Sequence, residues 1–480
     1  MNMNILLVNP PRVDGISVIR EERCEVTERF SILPPYSLLQ IGALLRKDGH
    51  KVSLIDANGE NIDYEKVKEK ILDIKPDIVV FRFTPTTFEH DMKTADVTKE
   101  IDSNIITAGI CFTLRTLDNK VMQDAKNMDV YVRSEYEVVV PQLVEHIDKK
   151  APLSEVVGIT YRDNNEIKRN PDARPLEDYN ELPIPAYDLL DSFKHYFINT
   201  PVGQPFTIMY TSKGCPFKCI YCTVAGTKLK MRNAESVLNE IKYLKKSYNI
   251  KTISFFDETF TVDRERVVDI CNGLIDNNIK ITWYCNTRAH LVDDELLKLM
   301  HTAGCRGISF GIESGSQKIL DNAHKGIRVE QAMEAIKLAK KNGIKVYTAF
   351  MLGLPGETWD TVKETIKFIK KSRPTSAQFN VTVPYPGTEL YNIYRKEGKI
   401  GDIDWRDLYQ HDSLIGTDEM SPEDLNKARK MAYKALYFNP LWIIGNIFHV
   451  FRHPEDFTMA YRYFRKIMKN YFVYKMEHSH

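Results

Sequence analysis

Three cysteines stand close enough together to act as a set. Cys215, Cys219 and Cys222 lie in the run Gly214-Cys-Pro-Phe-Lys-Cys-Ile-Tyr-Cys222, a Cys-x3-Cys-x2-Cys spacing. Three thiolates on one tight loop can ligate three irons of a four-iron cluster, which four cysteines ordinarily fill. With three, one iron stays open to another ligand, and chemistry would start there. A structural zinc site, a disulfide framework or a group of buried thiols is the alternative. Structural zinc takes four nitrogen or sulfur ligands from paired motifs, and no second Cys or His pair at such spacing stands nearby. The other five cysteines, Cys24, Cys111, Cys271, Cys285 and Cys305, are scattered singly, as small buried hydrophobes are.

Strands and helices must hold such a loop, and both can be read around it. Apolar runs at Phe206–Thr211, Thr252–Phe256, Ile279–Cys285, Gly307–Gly311, Lys345–Met351 and Ala377–Val383 predict strands. Helical spacing fills the gaps, over Ala234–Ser247, Arg264–Asn277, Asp294–His301, Val329–Asn342 and Thr358–Lys371. Six such units over residues 201–390 predict a partial (β/α)6, TIM-like barrel, whose site lies at the carboxyl ends of its strands. Polar residues stand at those ends: Asp257 and Glu258, Asn286 and Arg288, Ser309 and Glu313, then Gly353. Taken singly, Asp257 and Glu258 also suit the start of the helix at Asp263. His290, His301 and His324 have no ligand partner in view and read as core or surface residues.

Residues 1–150 alternate in the same way. Strands are predicted at Asn4–Val8, Lys51–Ile55, Ile78–Phe81, Asn104–Thr107 and Asp129–Val132, with helices over Tyr36–Asp48 and Tyr64–Ile74. That order implies a doubly wound, Rossmann-like parallel sheet, which binds ligands at the carboxyl ends of its strands. No Gly-x-Gly-x-x-Gly follows the first strand, so nothing points to a dinucleotide. Residues 151–200, broken by Pro171, Pro175, Pro183 and Pro185, read as a linker. Residues 391–480 read as a helical C-terminal region. The fold class is therefore α/β, with two sheet domains and a helical tail.

Composition narrows the partners. A net charge of +1 gives no sign of nucleic acid. No window reaches the roughly 18 to 20 apolar residues of a membrane span. Met1 to Pro10 reads as a buried strand rather than a signal peptide, so the protein is expected in the cytoplasm, where thiols stay reduced. The run Asn439–Phe451 is strongly apolar, and basic and aromatic residues follow it, Arg452, Arg462, Arg465, Lys466 and Lys469 among them. A helix of this kind either lies on a membrane surface or packs over the barrel mouth.

The stretch Thr211-Ser-Lys-Gly-Cys-Pro-Phe-Lys-Cys-Ile-Tyr-Cys222 resembles the cluster loop of the radical SAM family, including the aromatic Tyr221 before the last cysteine. The resemblance implies a 4Fe-4S cluster on Cys215, Cys219 and Cys222 whose open iron chelates S-adenosylmethionine (SAM). It implies that Asp257 and Glu258 meet the SAM amino group, Arg288 the carboxylate or a substrate anion, and Glu313 the ribose. The Gly353 strand would pack on the adenine, and Asn286 and Ser309 belong to the same stretches. The N-terminal block resembles the cobalamin-binding domain of one large subfamily, through Asn9-Pro10-Pro11, the helix Pro35–Ala43, Gly49-His-Lys-Val52 and Lys75-Pro76-Asp77. Two positions depart: Ala108-Gly109 replaces Gly-Gly, and Ser134-Glu135-Tyr136-Glu137 replaces Gly-Glu-x-Glu. The Asp-x-His-x-x-Gly motif that supplies a histidine to cobalt is absent. The resemblance then implies cobalamin held without that ligand, near Asn9, Thr84, Thr86, Ala108, Gly109 and Glu135.

The implied activity is radical modification of an unactivated carbon, by methyl transfer or by ring closure. The electron donor would be of flavodoxin or ferredoxin type. The tail resembles that of relatives acting on hopanoids, other lipids and tetrapyrroles, which implies an apolar substrate and peripheral contact with a membrane. A tRNA methylthiotransferase is the first alternative, but it should carry three further N-terminal cysteines, and only Cys24 and Cys111 lie there. A non-catalytic iron–sulfur protein is the second.

Overall fold

A computed structural model describes residues 2–21, 31–164, 166–198, 203–401, 404–407 and 414–452. Cys24 and the basic residues 462–469 lie outside these. In the first strand, β1 (Asn4–Asn9), Ile5, Leu6, Leu7 and Val8 are all fully buried. Leu6 and Val8 enter one core, Ile5 and Leu7 the other. A strand covered on both faces needs an unbroken apolar run, which is what this segment supplies.

The strands β2 (Lys51–Asp56), β3 (Ile78–Arg82), β4 (Ile106–Ile110) and β5 (Val130–Val132) join β1 in a parallel sheet of order β2-β1-β3-β4-β5. Helices α1 (Tyr36–Lys47) and α6 (Tyr136–Asp148) cover one face. Helices α3 (Tyr64–Ile74), α4 (Phe88–Ile101) and α5 (Asp118–Asp124) cover the other, and the short α2 (Ala57–Glu60) follows β2.

Several boundaries differ from expectation. The strand predicted at Asn104–Thr107 lies at Ile106–Ile110, because Asn104 turns back onto Asp102 through its N–H and its amide, at 2.9 and 2.8 Å. Ala108 and Gly109 therefore sit in mid-strand and not at a strand end. Within residues 151–200, β6 (Ile159–Asp163) and β7 (Glu166–Arg169) extend the N-terminal sheet as an antiparallel hairpin. The remainder bridges the two domains: Tyr196 donates to Asp56 at 2.7 Å and Tyr187 to Glu240 at 2.6 Å.

The second sheet runs β8 (Phe206–Met209), β11 (Thr252–Phe255), β12 (Thr282–Thr287), β13 (Cys305–Glu313), β14 (Lys345–Leu352) and β15 (Ser376–Val381), every neighbour parallel. Helices α7 (Ala234–Tyr248), α8 (Arg264–Asp276), α9 (Asp294–Thr302), α11 (Val329–Lys341) and α12 (Trp359–Ser372) connect them, with α10 (Gln317–Asn322) after β13. The third strand starts later than predicted because Ile279 closes the preceding helix, its N–H donating to Leu274 at 2.8 Å. It continues through Asn286. A two-residue pair, β9 (Ser212–Lys213) and β10 (Lys230–Met231), closes the cysteine loop.

Helices α13 (Glu389–Lys396), α14 (Pro422–Tyr437) and α15 (Pro440–Arg452) complete the described chain. Tyr437 on α14 donates to the Ala377 carbonyl at 3.1 Å, covering the free edge at β15, where unpaired backbone groups would otherwise face outward. One apolar core joins the two domains, running from Leu6, Val8 and Phe81 through Leu114 to Ile220, Val383 and Trp405.

Candidate functional site

The cysteine loop is held from several sides. Gly214, at φ +90°, turns it out of β9, and a Cβ there would lie 2.3 Å from the Lys228 carbonyl oxygen, a position only glycine fills. Cys215 N–H donates to Thr227 at 3.0 Å, Ile220 N–H to the Ala323 carbonyl at 3.2 Å, and the Ile220 carbonyl accepts from Leu390 at 2.9 Å. Cys215 and Cys219 are buried, Cys222 is partly exposed, and all three are free thiols. Among the described residues no three His, Cys, Asp or Glu side chains close on a single ion position. A cluster that gives each cysteine its own iron does not require that.

The acid expected to meet the SAM amino group has another task. Asp257, fully buried, accepts from Thr211 N–H at 2.7 Å, Thr211 Oγ1 at 2.5 Å and Ser212 Oγ at 2.8 Å, and lies 3.7 Å from Arg266. It anchors the base of the cysteine loop. Glu258 is partly buried beside it, and Thr259 lies 4.0 Å from Cys215 Sγ.

Arg288 does not point outward for a carboxylate. Its Nη1 donates to Cys219 Sγ at 3.3 Å, its Nη2 to the Lys325 carbonyl, and its guanidinium carbon lies 3.9 Å from the centre of the Phe217 ring. Glu313, in the left-handed region at φ +71°, accepts from Lys325 Nζ at 2.8 Å, and that nitrogen also reaches Tyr221 Oη at 3.3 Å. The tyrosine before the last cysteine thus ties the loop to the acid expected at the ribose. Asn286 and Ser309 are register partners on β12 and β13, both partly exposed on the row opposite the helix-side core.

Gly353 turns toward the C-terminal helices. Its carbonyl accepts from Tyr394 at 3.2 Å, and a Cβ there would meet Leu425 at 2.8 Å. Just beyond it, fully buried Glu357 accepts from Thr361 at 2.5 Å, while its second oxygen has no partner. Burial pushes its carboxyl up to about 7.

The strand ends of the N-terminal sheet are largely engaged with protein. Asn9 donates to Asp56 at 2.7 Å, and Asp56 also accepts from Tyr196 and Gly59 N–H. Thr84 N–H donates to Asp91 at 3.1 Å, and its hydroxyl lies 3.0 and 3.4 Å from those of Thr87 and Thr86. Asp91 forms a buried ion pair with Arg20 at 2.6 Å. Ala108 is in the core, and a Cβ at Gly109 would lie 2.3 Å from Met128 Sδ and 3.0 Å from the Phe83 ring.

Glu135 accepts from Lys230 at 2.8 Å. Glu137 accepts from Lys213 at 3.1 Å with both oxygens and from Tyr179 at 2.8 Å. Burial alone would raise the Glu137 carboxyl. The Lys213 ammonium and the hydrogen bonds outweigh it and hold the carboxyl below its ordinary value. The two acids of the Ser134–Glu137 stretch therefore clamp both strands of the hairpin that closes the cysteine loop. Lys213, Lys230, Lys325 and Arg115 escaped the sequence reading; the position of the two hairpin lysines flanking the cysteines was the only signal.

The carboxyl ends of the two sheets face each other. Arg115, beyond β4, donates to the Thr223 carbonyl of the cysteine loop at 3.1 Å, and Phe88 at the start of α4 meets Trp405 edge-on at 5.0 Å. Several polar atoms are buried without a protein partner at this level: Trp405 Nε1, Asn380 Oδ1, Thr382 Oγ1 and Arg288 Nε. Buried donors and acceptors normally have partners, so these suit a polar ligand held between the sheets. The three thiolates fit a cluster, and the unpartnered polar atoms fit a cofactor where the two sheets meet.

Residues 209–369 match the radical SAM superfamily, and residues 23–160 match the B12 binding domain. An uncharacterized methyltransferase of Pyrococcus horikoshii is 31% identical over 93% of this chain and 95% of its own. The anaerobic magnesium-protoporphyrin IX monomethyl ester cyclase of Rubrivivax gelatinosus is 30% identical over 77% of this chain and 68% of its own. Among solved structures, the radical SAM methyltransferase TsrM of Kitasatospora setae, with cobalamin and a 4Fe-4S cluster bound, superposes with a TM-score of 0.67. It covers 83% of this chain and 76% of its own at 17% identity.

Proposed function

The chain belongs to the B12-binding radical SAM enzymes, and on that premise we propose that it modifies an unactivated carbon of an apolar, lipid- or tetrapyrrole-like substrate held between its two sheets. It is a cobalamin-dependent radical SAM enzyme, with a 4Fe-4S cluster, SAM and cobalamin as cofactors. Together these supply a one-electron cleavage of SAM to a hydrogen-abstracting radical, and a methyl donor or radical partner beside it. The observation that carries the proposal is the opposition of the two carboxyl-end faces over one apolar core, with the unpartnered polar atoms left to the polar cofactors. A substrate there would lie against both cofactors.

In this reading Cys215, Cys219 and Cys222 hold the cluster, and Asp257 keeps their loop in place. Glu313 is oriented by Lys325 for the adenosine, with Ser309 and Asn286 lining the same row. Glu135 and Glu137 fix the N-terminal domain against the hairpin, so the distance between the cofactors is set by buried ion pairs. The apolar character of the joint core excludes water from a radical. A low-potential donor of flavodoxin or ferredoxin type would supply the electron.

The test is anaerobic reconstitution with iron, sulfide and cobalamin, followed by assay for 5′-deoxyadenosine. Lipid extracts of cells with and without the gene are then compared by mass spectrometry. Deoxyadenosine together with a product carrying an added methyl group or a new ring is expected. Absence of SAM cleavage by cluster-loaded protein would refute the proposal.

Peripheral contact with a membrane belongs to the same proposal, and one observation favours it. Phe438, Leu441, Ile444 and Ile447, three residues apart, are each about half exposed or more, the most open being Leu441 at 62%. Trp442 pins the helix from the other side, donating to the Pro374 carbonyl at 2.9 Å. Lys370 and Lys434 line the adjoining groove of about 520 Å3, suited to anionic headgroups. Among the described residues no helix is long and apolar enough to cross a membrane. Replacing Leu441, Ile444 and Ile447 with Ser should abolish flotation on anionic vesicles; equal flotation by variant and parent would exclude this surface.

A further inference from the structure

We infer that Arg288 sets the reduction potential of the iron–sulfur site, through its hydrogen bond to the Cys219 sulfur. The inference rests on the cluster proposed for the three cysteines and assigns Arg288 as a positioning and tuning residue rather than a SAM ligand. Three observations place it there. The guanidinium is buried, at 5% exposure, with Nη1 3.3 Å from Cys219 Sγ. Its plane is fixed by the Phe217 ring at 3.9 Å and by donation to the Lys325 carbonyl. His290 packs edge-on against the other partner of that stack, its ring centre 5.5 Å from that of Phe217.

A fourth observation is what is missing around the charge. Among the described residues no carboxylate lies within 4.0 Å of Arg288, and its Nε is buried without a partner. Glu313 is already paired with Nζ of Lys325, the lysine whose carbonyl Arg288 meets. Arginine keeps its proton at any ordinary pH, and a buried cation without a counter-charge is strongly unfavourable. The chain places this one against a cysteine whose thiolate, on a cluster, carries negative charge. The geometry makes the cluster its counter-ion.

Reduction adds one electron to the cluster from an external low-potential one-electron donor, and no proton leaves Arg288. A fixed cation and a hydrogen bond to a ligating sulfur stabilise the more negative, reduced form. Removing them should make the cluster harder to reduce. The guanidinium also ties the cluster loop to the Lys325 backbone, whose side chain holds Glu313. The same residue thus joins the electron-accepting site to the site expected to hold the adenosine.

The experiment is an EPR-monitored redox titration of anaerobically reconstituted full-length protein, without SAM or cobalamin, beside iron and sulfide analysis. For Arg288→Gln with full iron content, the reduced-to-oxidised ratio at a fixed potential should fall about tenfold, a shift of ~59 mV for one electron. An unchanged midpoint in cluster-loaded Arg288→Gln overturns the inference. If that variant fails to hold iron, Arg288→Lys decides. Its ammonium keeps the charge but cannot reach both the sulfur and the Lys325 carbonyl, so a midpoint below that of the parent is expected. A parental midpoint, or loss of iron from Arg288→Lys as well, overturns it. A parent protein that holds a cluster but does not cleave SAM would refute the proposed function and leave this titration interpretable.

Discussion

At the end of β1, Asn9 donates to Asp56, and Asp56 is closed off by Tyr196 from the segment between the domains. At the end of β12, Arg288 donates to a cysteine sulfur and keeps a buried Nε with no protein partner. Asn9 ends its apolar parallel strand and Arg288 follows one, where open α/β sheets place their ligands. In the N-terminal sheet the polar side chains largely satisfy one another, as in the Arg20, Thr84, Thr87 and Asp91 network. In the barrel they converge on the cysteine loop or stay open. The first sheet therefore offers a rigid shelf, shaped by backbone and loops, while the second carries the side-chain chemistry. The same position in a fold does not imply the same use.

The largest effect that should separate the two regions is loss of the cluster. Replacing Cys215, Cys219 and Cys222 with Ala should remove the charge-transfer absorbance and abolish SAM cleavage while cobalamin is still retained. Equilibrium dialysis measures the second part, and loss of cobalamin together with the cluster would show that the regions are not separable.

Next comes the contact that joins them. Lys213→Met leaves the Glu137 carboxylate buried without its cation, a change that costs about 3 to 5 kcal/mol. A lowered midpoint in chemical denaturation checks it. Glu137 has a folded-state pKa below its unfolded value, so its contribution is present above the unfolded pKa, near 4.5, and is lost as pH falls through the folded one. The parent should lose this stability on acidification below about pH 4.5, and the variant should show less of that acid dependence.

Glu357 has the opposite sign. Its carboxyl is raised from 4.5 to about 7, so its contribution is full below the unfolded pKa and is lost as pH rises through 7. Glu357→Gln should therefore gain stability relative to the parent at pH 8, by about 3 kcal/mol at most, and gain none at pH 4. Melting curves at the two pH values decide; equal differences would show that the group is not buried as an acid.

The smallest change tests the shelf. Asn9→Ala removes one partner from buried Asp56, at a cost of about 1 to 3 kcal/mol, yet the rate of uncoupled SAM cleavage should match the parent. A changed cleavage rate at full cluster content would mean that Asn9 reaches the reacting groups.

The cysteine loop, the alternation of strands and helices, and most element positions were legible along the chain, because periodicity and close spacing are local properties. Asn104 shows where that ends. Its preference for a turn onto Asp102 shifted β4 by two residues and carried Ala108 and Gly109 from a strand end into the core. Asp257 is legible as an acid past a strand, but its partners Thr211 and Ser212 stand 46 and 45 residues away in the chain. No local pattern reveals them.

What the sequence by itself determined is the inventory: three thiols on one short loop, two blocks of parallel-sheet pattern and acids after apolar strands. What only the tertiary structure decided is which groups are already engaged. Glu135 and Glu137 meet Lys230 and Lys213 across the domain boundary, and Arg288 turns onto Cys219. The two strand-end faces meet over a common core. The physical reason is that a buried polar group must find a partner wherever the fold brings one within about 3 Å, and that distance is set by strand register and domain docking, which a linear pattern does not encode.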